Sequence, residues 1–342
     1  MPLPFAFHPG AAVKNIVLCF DRAQHHSGKR AATNAGALFG LAENSARQLT
    51  WYDAGLDGAR RWRSAGADVT RSRVVEAYRF LVDVWSPGDA VYIFGVSRGA
   101  ACARELARLL GTIGVWQDRE VPLLDYLLDT YVLPRTPRNS ADWRRVSRLA
   151  AAVTGRRNAT VPVRYLGLWD AVTVPGAEAP PSDELPAVAA GRHAVAIDGA
   201  PTGRLLGAST VEEVWFRGGH CDVTGTAGAC LQLADIALDW VLDGAVHAGM
   251  HLRGDCRLPS PTEFDALAGS SHTLSLRRVP EDAAVHASVE IYLRARPQYW
   301  RRLPARLRWA DAEWLARGER LVAAKSAQAP VDARELMVAI SS

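Results

Sequence analysis

Residues 91–100 read Val-Tyr-Ile-Phe-Gly-Val-Ser-Arg-Gly-Ala, and no other stretch constrains the fold as strongly. The β-branched and aromatic run before Gly95 predicts a strand. Ala100-Ala-Cys-Ala-Arg-Glu-Leu-Ala-Arg-Leu-Leu110 predicts a helix directly after Gly99. A serine between such a strand and such a helix, with glycine two residues away on each side, has the pattern of a nucleophile elbow. Side chains at positions 95 and 99 would collide in so tight a turn, so Gly95 and Gly99 let strand and helix approach. Ser97 then sits at a helix N-terminus, where backbone N–H groups without helical partners can stabilise an oxyanion. The N–H of Arg98 is one expected donor. A purely structural turn is the competing reading.

A serine in that turn needs a base and an acid, which in α/β-hydrolases follow it in the order Ser, Asp/Glu, His. Val161-Pro-Val-Arg-Tyr-Leu-Gly-Leu-Trp-Asp170 is a β-rich run closed by a carboxylate, and Glu213-Val-Trp-Phe-Arg-Gly-Gly-His220 is another closed by histidine. Both candidates fall where a parallel strand would end, the side on which open α/β sheets gather ligands. The bland alternatives are a turn or N-cap aspartate and a hydrogen-bonded loop histidine. Asp222 and His286 are the rival acid and base. Asp222, so close to His220, is better placed to hold its own loop. Cys221 offers a thiol alternative to Ser97 but lacks the turn.

At these residues the chain resembles a family of α/β-hydrolases, built on an otherwise uncharacterised domain, that includes bacterial type VI secretion lipase effectors, phospholipases of the GxSxG kind. The family's elbow reads roughly Gly-Phe-Ser-Arg-Gly-Ala, matched by Gly95 to Ala100. Its acid segment is similar to Gly167-Leu-Trp-Asp170-Ala-Val. Its histidine segment is similar to Val214-Trp-Phe-Arg-Gly-Gly-His220-Cys-Asp-Val. A helix like Leu233 to Trp240 follows, and a block like Val285-His-Ala-Ser-Val289 recurs near the family's C-terminus, so the likeness runs from about Asn15 to Val289. The chain departs in having Asp21-Arg-Ala where the family has Asp-Gly-Thr.

The resemblance implies an α/β-hydrolase-like fold with a mostly parallel, doubly wound sheet and helical cap insertions. It further implies ester hydrolysis through Ser97, Asp170 and His220, with no metal and no organic cofactor. The second oxyanion donor is expected from the loop after Asp21, where Arg22 is the first residue. Phospholipid acyl esters are the implied substrate, and an immunity or secretion partner is implied for an antibacterial effector. The alternatives are a soluble carboxylesterase or acyltransferase acting on a small ester, and an inactive hydrolase-fold interaction protein.

The 342 residues suit one α/β-hydrolase domain spanning 1–342 and carrying insertions. A net charge of +4, with 49% hydrophobic residues, gives no case for nucleic acid. No apolar run is long enough to span a membrane and no signal peptide is evident, so synthesis in the cytoplasm is expected, with export by a signal-independent machine left open. The five cysteines have no metal-type spacing, and Cys19 and Cys102 fall in a predicted strand and helix as buried thiols.

Asn15–Asp21 reads as the first strand and 71–85 as an amphipathic helix facing a sheet. His25 and His26 read as part of a solvated loop. A helical insertion is expected at roughly 115–158, of the kind that forms part of a cap. At roughly 290–325 a C-terminal helical segment is expected. Residues 294–320 carry eight arginines, with Trp300, Leu303, Leu307, Ala310 and Trp314 at a/d spacing. That pattern fits a basic amphipathic helix at an anionic membrane surface or a helix docked on the core.

Overall fold

The computed structural model describes residues 13–22, 33–55, 66–116, 121–132, 139–155, 159–174, 185, 187–200, 205–270 and 275–316. Its frame is one sheet of eight strands: β1 (Asn15–Phe20), β2 (Gln48–Asp53), β3 (Ala90–Val96), β4 (Val163–Trp169), β5 (Gly191–Ala196), β6 (Val211–Phe216), β7 (Ala283–His286) and β8 (Leu307–Ala310). They lie in the order β2-β1-β3-β4-β5-β6-β7-β8, and each neighbouring pair is parallel.

The central strands are buried along nearly their whole length, which parallel strands require because helices cover both faces. Alternation then divides the core. Ile16, Leu18, Phe20, Val91 and Ile93 face α2 (Gly66–Val84) and α3 (Gly99–Ile113). Val17, Cys19, Tyr92, Phe94 and Trp169 face α1 (Asn34–Leu41) and, further on, α7 (Leu231–His247). Helices on both faces make the sheet doubly wound, as expected.

The chain winds outward from β1 to β2, then returns to place β3 on the other side of β1. Such a reversal makes the carboxyl ends of β1 and β3 a topological switch point, the usual ligand position in such sheets. Ser97 stands directly after β3, at that switch point.

Between β3 and β4 the chain forms α3, α4 (Val121–Tyr131) and α5 (Ser140–Thr154). Val146 and Ala150 of α5 join the core on the α3 side, and the Trp143 ring lies 3.9 Å from the Arg108 guanidinium. The helix therefore forms an outer layer against α3. Its start is fixed by Asn139, whose Oδ1 accepts from the Ala141 and Asp142 amides while Asp142 accepts from the Asn139 amide, a reciprocal capping box.

The C-terminal segment departs from expectation. It is α-helical only through α9 (Ser288–Ala295), continues as a 3₁₀ turn over Pro297–Arg302, and then forms β8 against β7. Ala310 and Trp314 are buried in the core that holds α7, and Tyr299 is buried beside Tyr292 of α9. A stripe that satisfied helical spacing is thus split between a strand and two short turns, and Pro304 lies between them. Among the described residues, 294–316 do not form one continuous basic helix. Residues 317–325, and the His25 and His26 loop, lie outside the described residues.

Candidate active site

The elbow closes as its glycines require. A Cβ on Gly95 would sit 2.6 Å from the Gly99 carbonyl oxygen and 2.7 Å from the Ala100 amide nitrogen. A Cβ on Gly99 would sit 2.8 Å from the Phe20 carbonyl carbon and closer still to its oxygen. The first turn of α3 therefore rests on the end of β1. Ser97 adopts φ 56°, a left-handed conformation that is unfavourable for a side-chain residue and recurs at functional turns. Its amide donates to the Trp169 carbonyl at 2.9 Å, which ties the turn to the end of β4.

Asp170 follows that carbonyl. It too has positive φ, 41°, and is fully buried. Its Oδ2 lies 2.6 Å from His220 Nδ1, at the first residue of α6 (His220–Thr224) after β6. An ionised aspartate there fixes the ring proton on Nδ1 and leaves Nε2 as the basic nitrogen. Exposure rises outward from the acid, with Asp170 at 0% and the His220 side chain at 24%. Among the described residues no hydrogen bond joins Ser97 Oγ to the His220 ring.

The rivals are engaged elsewhere. Asp222 accepts from the Gly219 and Cys230 amides, both at 2.8 Å, and so holds the histidine loop as expected. His286 is buried, bonded to Ser288 and Asp311 and stacked on Phe216. Among the described residues no cluster of His, Cys, Asp and Glu could hold a metal.

Arg98 is the N-cap residue of α3, so its amide belongs to the end where helix N–H groups lack helical acceptors. Burial and the nearby charge of Arg22 bring its guanidinium down to about 10. Arg22, expected as the second oxyanion donor, has its amide hydrogen-bonded to Asp21 Oδ1 at 2.6 Å. The buried Asp21 carboxylate also accepts from Thr33 Oγ1 at 2.7 Å and Tyr52 Oη at 2.5 Å.

Two supporting features were invisible in the sequence. Arg277 donates from Nη1 to Asp170 Oδ1 at 2.6 Å and from Nη2 to Oδ2 at 2.8 Å, while the Ala196 amide donates to Oδ1 at 3.0 Å. Burial alone would raise the Asp170 carboxyl, but the hydrogen bonds and charges of His220 and Arg277 outweigh it and hold the group below the usual carboxylate range. Separately, buried His193 accepts the Ala171 amide on Nε2 at 3.1 Å and meets Glu213 Oε1 through Nδ1 at 2.8 Å. That pair of contacts anchors Ala171, the residue after Asp170. Neither Arg277 nor His193 carries a motif; each becomes visible only when distant segments meet.

A family model described as "T6SS, Phospholipase effector Tle1-like, catalytic domain" matches residues 14–244, more than half of the chain. A yeast protein, "Uncharacterized protein YEL023C" of Saccharomyces cerevisiae, is 30% identical over 185 residues, covering 48% of this chain and 27% of the yeast protein. Two solved structures are similar. The crystal structure of an uncharacterised protein from Pseudomonas aeruginosa has 17% identity and a TM-score of 0.44, over 70% of this chain and 46% of that one. The Tle1 effector bound to the VgrG spike of the type VI secretion system has 14% identity and a TM-score of 0.36, over 64% and 52% respectively. The chain spans about half, or less, of the length of these relatives.

Proposed function

Because the chain belongs to the Tle1-like family of type VI secretion phospholipase effector catalytic domains, we propose that it is a serine hydrolase cleaving phospholipid acyl esters through Ser97, Asp170 and His220. The observation that carries this reading is the 2.6 Å contact between Asp170 and the His220 ring, one residue beyond the carbonyl that anchors Ser97. His220 Nε2 takes the Ser97 proton as Oγ attacks the ester carbonyl. Asp170 keeps the ring in the useful tautomer and stabilises the imidazolium. The Arg98 amide and the N-terminus of α3 face the developing oxyanion. The imidazolium then protonates the leaving lysolipid oxygen. Water, deprotonated by His220, attacks the acyl-enzyme and releases a fatty acid and Ser97.

The Tle1 effector is bound to a VgrG spike, and a spike protein is accordingly a proposed carrier for this chain. An immunity protein covering Ser97 is the matching proposed inhibitor. The test is fatty-acid release from phospholipid vesicles by wild type and Ser97→Ala. Release by wild type alone is expected. Turnover of a short soluble ester without release from vesicles would favour the small-ester reading, and equal release by both proteins would remove Ser97 from the chemistry.

A further inference from the structure

We propose that Arg277 is a positioning residue: its guanidinium grips both oxygens of Asp170 and sets the direction from which Oδ2 meets His220. The proposal rests on the roles given above to Ser97, Asp170 and His220. Nη1 and Nη2 contact the two carboxylate oxygens separately, at 2.6 and 2.8 Å, the parallel fork that fixes orientation as well as charge. Oδ1 is held by Arg277 and the Ala196 amide, while Oδ2 is shared between Arg277 and His220. The carboxylate therefore cannot rotate about its own axis without breaking two bonds at Oδ1. Such clamping answers a need, because Asp170 sits on a strained turn of positive φ.

The arginine is itself fixed. Nε donates to the Ala200 carbonyl at 2.8 Å and Nη1 also to the Ala196 carbonyl at 3.0 Å. Its backbone segment is stitched to the end of β5, with the Leu276 amide on the Gly199 carbonyl and the Gly199 amide on Ser275 Oγ, both at 3.0 Å. Every guanidinium nitrogen thus donates to the protein, and the side chain is only 4% exposed. A substrate anion has no face of it to bind, which separates a positioning role from a substrate clamp. Arg277 also lies beyond residue 244, where the family match ends. The working site therefore draws on chain outside the matched segment.

The contribution is orientation more than charge. When His220 is protonated, Oδ2 faces two cations at once, so Arg277 keeps the acid ionised and aimed without adding to its pull on the imidazolium. Lysine at this position would keep a positive charge and lose the fork.

The experiment compares wild type, Arg277→Lys, Arg277→Gln and Arg277→Gly on a short chromogenic ester, with thermal melts alongside. Misaligned catalytic groups lose on the order of 10²-fold in rate. The expected result is a kcat loss of that size for both Arg277→Lys and Arg277→Gln, with KM little changed, and partial recovery of Arg277→Gly by added guanidinium chloride at low concentration. Wild-type kcat in either folded variant would overturn the proposal. So would a loss in Arg277→Gly that follows its melting temperature and ignores guanidinium. If Arg277→Gln does not fold, Arg277→Lys and guanidinium rescue decide alone. Activity surviving in Ser97→Ala would instead overturn the underlying triad, whereas an inactive Ser97→Ala beside a fully active Arg277→Gln would overturn the Arg277 role only.

Discussion

Replacing Gly99 with alanine should damage catalysis far more than stability, because the added methyl would press on backbone that also aims Ser97, the proposed nucleophile. The Cβ would lie 2.8 Å from the Phe20 carbonyl carbon and closer still to its oxygen, which is the contact that must open. Carbon-to-oxygen contacts settle at about 3.3–3.6 Å, so α3 and β1 must separate by about 1 Å. No side chain can yield, since the obstacle is main chain hydrogen-bonded within the sheet to β2 and β3. Overpacking of this kind costs about 1–3 kcal/mol, partly offset by alanine's better helix propensity. The same shift moves Ser97 and the Arg98 amide against a His220 held from β6 and β4. A displacement of about 1 Å at reacting groups costs on the order of 10²-fold. The assay is kcat/KM on a chromogenic ester beside a urea denaturation curve. Wild-type kcat/KM in a folded Gly99→Ala protein would refute the view that contact between α3 and β1 aims Ser97.

Asp170→Asn should lower kcat by about 10⁴-fold through loss of the correct His220 tautomer, and stability by about 3 kcal/mol because Arg277 is left buried without its anion; turnover and denaturation midpoints measure the two losses separately. His193→Ala should cost about 1–3 kcal/mol by orphaning the Ala171 amide, while Glu213 keeps the Leu206 and Gly207 amides, read as a lower urea midpoint. The acid limb of stability has a defined sign. Since Asp170 is held below the usual carboxylate range when folded, the unfolded chain takes up a proton first as pH falls. This contribution is full above about pH 4 and is lost progressively below it. Thermal melts from pH 5 downward should therefore fall more steeply for wild type than for Asp170→Asn.

The elbow was legible because its requirement is local: two glycines, a β-rich approach and a helical exit decide the turn. The ends of β4 and β6 were legible for the same reason, since Asp170 and His220 close apolar runs. The helix expected at 71–85 appears as the longer α2, with Val74, Tyr78 and Leu81 inward and Trp85 buried just past its end. Strands β2 and β5 escaped notice because Gln48-Leu-Thr-Trp-Tyr-Asp53 and Gly191-Arg-His-Ala-Val-Ala196 carry polar residues with long-range partners, as Gln48 to His251 and His193 to Glu213. The C-terminal stripe misled because three- and four-residue spacings also arise by chance in a short apolar set. Only the open edge of β7 decides that 307–310 pairs as a strand. Arg277 was illegible because it lies in an irregular segment and acts over a separation of 107 residues.

The central claim, that Ser97 is the nucleophile of an acyl-enzyme, is tested most directly by trapping that species. Wild-type protein mixed with a chromogenic ester and quenched in acid within one turnover should carry the acyl group on the tryptic peptide spanning 80–98, on Ser97. The adduct should be absent from Ser97→Ala and should form far more slowly in His220→Ala. An acyl group found on Cys221, or ester turnover at the wild-type rate with no adduct on Ser97, would contradict the account.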